Sequence, residues 1–213
     1  MSSLTGRLGL FTAGPLFALG LALMQPQMTS LAGLDGPGSF IHSLALEPQS
    51  WALGHLVLLP AGLAYILAGF GVMQAFGERR PVTGQILGLL ITLGGTLLIG
   101  NFALDFVYGA LATGLEPQAA DAARHALLDD PLVAGILVNG AGMVMLTGMA
   151  LLSVTILVTG WLPRLSAAAI LAGWAFVFTL HGQFPYAEAI GHFIIGAGFI
   201  QIGVASLRTA PAP

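Results

Sequence analysis

Six long apolar stretches, separated by shorter segments rich in polar residues, glycine and proline, set the pattern of this chain. A helix needs about 20 apolar residues to cross the hydrocarbon core of a bilayer. By that measure the predicted spans are Leu8–Met24, Trp51–Phe76, Gln85–Ala112, Leu132–Trp161, Ser166–His181 and Ile190–Leu207, the fifth being the shortest. The expected fold is all-α, a polytopic integral membrane protein built as a six-transmembrane-helix bundle. No linker or shift in composition divides it, so residues 1–207 form one domain, followed by a disordered tail at 208–213. The segment Gln25 to Ser50, with Gly33, Gly36, Pro37 and Gly38, reads as a long loop able to cover a site or dock a partner. A second loop is acidic, with Glu116, Asp121, Asp129 and Asp130 around Arg124, and a third holds Gln183-Phe184-Pro185-Tyr186.

Composition fixes the solvent. Of 213 residues 56% are hydrophobic and only 7% charged, and the mean hydropathy is +0.91. A water-facing surface normally requires about a quarter charged residues, so most of this surface faces lipid. Arginine placement sets the orientation. Arg7, Arg79, Arg80, Arg164 and Arg208 flank the spans on one side and only Arg124 lies opposite. The positive-inside rule makes the arginine side cytoplasmic, with both termini inside. Arg7, the apolar run and the small-x-small site Ser30-Leu31-Ala32 also fit a cleaved signal peptide, but the apolar run is long for one, which favours a retained first span. The expected location is a bacterial-type inner membrane or a plasma membrane.

Several chemistries are excluded. The chain has no cysteine, which removes disulfides, thiolate-held metals, iron–sulfur clusters and cysteine nucleophiles. It has no lysine to form a Schiff base. The net charge of −3 and the lack of a basic run argue against nucleic acid. None of the 30 glycines forms a phosphate-cradling motif, so neither NAD nor a flavin is expected. The glycines read as helix-packing positions.

The remaining chemistry is concentrated in the histidines. On this topology all five fall at or beyond the extracytoplasmic face, and His55, His181 and His192 lie inside spans or at their ends. Asn101, Asp105 and Tyr108 share a helix face at i, i+4, i+7, Asn139 enters from the same side, and Glu188 precedes His192 by four. Ionisable groups inside a bilayer are functional-site candidates. A single interfacial histidine more often caps a helix or sits among headgroups; three converging with a carboxylate favour a site. His42 and His125 read as surface residues. Ala52-Leu53-Gly54-His55-Leu56 and Ala189-Ile190-Gly191-His192-Phe193 echo one another, at matching depth and chain direction.

The leading expectation is therefore a haem- or metal-binding membrane protein with a redox role. Haem b would lie between His55 and His192, with the preceding glycines leaving room for the macrocycle. Alternatively a metal ion such as zinc would be held by His55, Asp105, His181 and His192, supported by Asn101, Tyr108 and Asn139. Expected partners are the bilayer, quinol or an extracytoplasmic redox protein, and a homo-oligomer or larger complex. A second expectation is a metal-dependent hydrolase acting on lipid at the outer leaflet, with Asp105 or Glu188 as catalytic base. A third is a non-catalytic accessory subunit or a transporter, although the nearly polar-free cytoplasmic half offers a transporter no visible pathway.

Overall fold

The apolar stretches are helical in the computed structural model, which describes residues 3–34, 38–181 and 183–208, and no strand occurs among the described residues. The helices are α1 (Ser3–Ala32), α2 (Ser39–Leu46), α3 (Pro48–Phe76), α4 (Pro81–Gly114), α5 (Pro117–Leu128), α6 (Ala141–Thr159), α7 (Arg164–Leu180) and α8 (Ala187–Arg208). Pro48, Pro81 and Pro117 open α3, α4 and α5, where the missing N–H costs nothing and the fixed φ suits the first turn. Gly160 stops α6 at φ 61°, a left-handed cap that satisfies the last carbonyls.

Five segments are long and apolar enough to cross a membrane: Leu4–Ala32, Pro48–Phe76, Pro81–Gly114, Val133–Thr159 and Ala187–Leu207. These are consistent with an integral membrane protein. The sixth expected span, α7, has 17 residues, about 25 Å at 1.5 Å per residue, and so falls short of that group.

Around the bundle α1 packs on α3, α3 on α4, α4 on α6, α6 on α7, α7 on α8, and α8 closes back on α1. Small residues make the close contacts: Gly69 meets the Gly88 carbonyl, Gly14 meets Gly196, and Gly173 meets the Gly191 carbonyl. Helix packing was the expected role of these glycines. Tyr65, Phe199, Ile91, Met149 and Ile156 fill the interior.

Polar contacts tie the ends. At one end Arg7 Nη2 donates to the Ser206 carbonyl at 3.3 Å and the Arg79 guanidinium lies 4.3 Å from the Trp161 ring centre. The starts of α4 and α7, with Arg80 and Arg164, belong to this arginine end. At the other end Ser50 Oγ donates to the Leu23 carbonyl and Gln25 Oε1 accepts from the Tyr186 N–H, both at 2.8 Å. The short helices α2 and α5 lie there.

Two expected loops are helices. Helix α1 continues through Ala32, and α2 occupies most of the remaining first loop. Polar residues that mark a loop by composition bond to one another between α1 and α2: Gln27 Nε2 donates to Ser43 Oγ at 2.7 Å, and Ser43 Oγ to the Phe40 carbonyl. Gln27 and Ser43 are fully buried. The acidic loop is α5, rich in alanine, the strongest helix former. The fourth span is also not uniform, because Val133–Gly140 is a π-helix leading into α6. Gly36 and Pro37 of the first loop and the tail from 209 onward lie outside the described residues, while Arg208 is the last residue of α8.

Candidate functional site at the α2/α5 end

The first turns of α3 and the last turns of α4 meet through Trp51, His55 and Asp105. His55 Nδ1 lies 2.9 Å from the Trp51 carbonyl, one turn back in α3, and His55 Nε2 lies 2.9 Å from Asp105 Oδ2. The Trp51 indole N–H returns across the interface to the Asp105 carbonyl at 3.0 Å. The indole also covers the imidazole at 4.0 Å between ring centres, and Phe102 and Phe106 contact it edge-on. Gly109 leaves the room the indole needs, since a Cβ there would approach its ring to 3.2 Å.

This geometry fixes the proton count. A carbonyl can only accept, so His55 Nδ1 carries a hydrogen. One further proton must lie between Nε2 and Oδ2, either on the ring or on the carboxyl. The pair is neutral as a unit in both forms, imidazolium–carboxylate or imidazole–carboxylic acid, which is how a buried pair avoids the cost of a lone charge. The His55 side chain is 1% exposed and that of Asp105 16%, so the carboxyl is the more accessible member of the pair.

A second pair stands at the start of α8. His181 Nδ1 and Glu188 Oε1 are 2.5 Å apart, with His181 largely exposed. Beside them Tyr186 has φ 64°. A bulky residue in the left-handed region costs about 1–3 kcal/mol and requires fixing from outside. Gln25 supplies it by accepting from the Tyr186 N–H.

The remaining predicted site residues go elsewhere. His192 is buried against Phe17 at 4.3 Å and Trp174 at 5.4 Å, and among the described residues its Nδ1 has no hydrogen-bond partner. Ring contacts run from His55 to Phe102, Phe17 and His192, so a macrocycle ligated by both imidazoles would have to displace two phenyl rings. The glycines preceding the histidines are not open: Gly54 packs against Met24 and the Gly20 carbonyl, and Gly191 against Val177 and the Gly173 carbonyl. Asn139 is exposed and donates to the Ala134 carbonyl inside the π-helix rather than to Asp105. Tyr108 is buried with its hydroxyl unpartnered among the described residues, and its ring faces Arg124 of α5. Asn101, one turn below Asp105, is half-buried, and His42 and His125 are exposed.

His55 pairs with Asp105 and His181 with Glu188, His192 joins neither pair, and among the described residues no group of three His, Asp or Glu side chains could hold a metal ion. Sequence reasoning missed Trp51 as the residue that fixes His55, and Arg124 as the cation laid over Phe40 at 4.5 Å and over Tyr108. The i, i+4 spacing of Trp51 and His55 carried the first signal; nothing local carried the second. No protein-family model, no curated protein and no solved structure matches the chain.

Proposed function

We propose that this chain is a six-span membrane protein with both termini in the cytoplasm, and that its extracytoplasmic half holds a proton-exchange site made of His55 and Asp105. The observation that carries this reading is the 2.9 Å contact between His55 Nε2 and Asp105 Oδ2, with the carboxyl as the more exposed member. Such a pair changes its internal proton position at no change in net charge. It can deliver a proton to a ligand or partner docked against Asp105 and recover it from the external medium. Trp51 keeps the imidazole oriented by accepting at its carbonyl while its indole anchors α4. Asp105 is the acid–base group in this reading and His55 its proton store. The two-by-two pairing favours this role over a zinc hydrolase, which needs three protein ligands around one ion.

Histidine-selective ¹⁵N NMR of the protein in nanodiscs tests the proposal. Between about pH 5 and 8, the window in which histidine charge is read, wild-type His55 should show hydrogen on Nδ1 and a shared proton at Nε2. In Asp105→Asn it should show a neutral ring with a lone pair at Nε2. Identical His55 signals in both proteins would remove the shared proton and the proposal with it.

One observation favours haem or metal binding as a second reading: the partnerless Nδ1 of buried His192. His55 could join it only by giving up Asp105. An absorption spectrum of the purified protein, with or without a Soret band, and elemental analysis decide that reading.

A further inference from the structure

Along the seam between α1 and α8 two cavities lie side by side. One is an apolar groove of about 570 Å³, within the range of roughly 300–1,000 Å³ usual for small-molecule sites. Its floor is made of Ala18, Ala22 and Ala189, and its walls include Leu19 and Phe193, both more than half exposed on the outside of the bundle. The other is a pocket of about 220 Å³ at the α2/α5 end, where Gln25, Thr29, Gln183 and Glu188 supply the polar groups. Phe184, Pro185 and Ala189 line both, so the two are neighbours that share a wall. Apolar space along the membrane-facing helices, beside a mainly apolar pocket that carries a few polar groups at the helix ends, suits a lipid.

We propose that this seam binds a membrane lipid, with an acyl chain in the Ala18–Ala22–Ala189 groove and an amine-bearing headgroup against Glu188. The charge supports the amine: among the described residues Glu188 is the only formally charged side chain lining the pocket, and no arginine lines it. Glu188 Oε1 already pairs with His181 Nδ1, so an ammonium group would share the carboxylate with that imidazole. Gln25 and Thr29, already hydrogen-bonded to one another, and Gln183 leave further acceptors for its N–H groups. Tyr186 bridges the two cavities. Its left-handed backbone is held by Gln25, and its residue lines the groove while its hydrogen-bond partner lines the pocket. Backbone strain of this kind is characteristic of ligand clamps. The site is separate from the His55–Asp105 pair, so either proposal can fail alone.

Native mass spectrometry of the delipidated full chain, mixed with phosphatidylethanolamine or phosphatidylglycerol of matched acyl chains, tests the inference. Wild type should retain the ethanolamine lipid at least several-fold better. Glu188→Gln should abolish that preference while still retaining lipid, and Ala22→Phe should lose both lipids by blocking the groove. Ala126→Phe, on exposed α5, is the control for a general effect of an added ring and should behave as wild type. Equal retention of the two lipids by wild type, or unchanged retention in Ala22→Phe, would overturn the proposal. Should Ala22→Phe not fold, Leu19→Ser, which changes the exposed wall alone, should weaken retention of both lipids, and unchanged retention there would overturn the proposal equally.

Discussion

Trp51, His55 and Asp105 close a ring of three hydrogen bonds that spans the α3–α4 interface, and each bond orients the next. Removing one partner of a buried ion pair typically costs about 3–5 kcal/mol, while replacing both by apolar residues is often neutral. Asp105→Leu leaves the Nε2 of a 1%-exposed imidazole without a partner and should fall near the lower end, about 3 kcal/mol. His55→Leu strands a carboxyl that water can partly reach, so its cost should be smaller. The double variant should be more stable than Asp105→Leu alone, measured by thermal unfolding in one detergent. Destabilisations that simply add would show that the two side chains act independently. Asp105→Asn is the informative conservative change. Its amide can donate to a neutral His55 Nε2, so stability should stay close to wild type while the shared proton is lost.

At the scale of helices, glycine has two opposite roles that the neighbouring backbone distinguishes. Gly196 of α8 lies against Gly14 and Pro15 of α1, whereas Gly142 of α6 faces open space. Gly196→Ala should therefore force α1 and α8 apart and cost about 1–3 kcal/mol, the usual penalty for overpacking. Gly142→Ala should gain up to about 1 kcal/mol from helix propensity. Thermal unfolding midpoints moving in opposite directions are the expected result, and a shared direction would contradict these packing assignments. The same contrast explains what could be read from sequence. Long apolar runs declared α1, α3, α4, α6 and α8 because the solvent itself selects for them. Helices α2 and α5 could not be seen that way. What stabilises them is tertiary: Gln27 meets Ser43 from sixteen residues away, and Arg124 meets the rings of Phe40 and Tyr108. Part of the site was legible for the same reason. Asp105 inside an apolar run required a partner, and His55 was among the few residues able to provide one. His192 has the same local motif as His55 but packs between Phe17 and Trp174, because the faces of α1 and α7 opposite it are aromatic rather than acidic. No pattern within α8 encodes that.

Taken as a whole, the molecule sorts its cations to one end, and that sorting decides how it would sit in a bilayer. Arg7, Arg79, Arg80 and Arg164 lie at the arginine end, with Arg124 alone beside α2 and α5. In the proposed orientation, which follows the positive-inside rule, the His55–Asp105 pair would face outward. The short helix α7 is the critical element, since an even number of crossings is needed to return both termini to one side. The absence of cysteine makes the chain a clean background for single-cysteine labelling. His125→Cys in α5, Leu165→Cys at the start of α7 and Gln183→Cys after its end are all exposed positions. With a membrane-impermeant maleimide applied from outside intact cells, residues 125 and 183 should label and residue 165 should label only after permeabilisation. If 183 were protected together with 165 while 125 labelled, α7 would not cross and the six-span arrangement would fail. If 165 labelled and 125 did not, the arginine end would face outward, and Asp105 would exchange its proton with the cytoplasm instead.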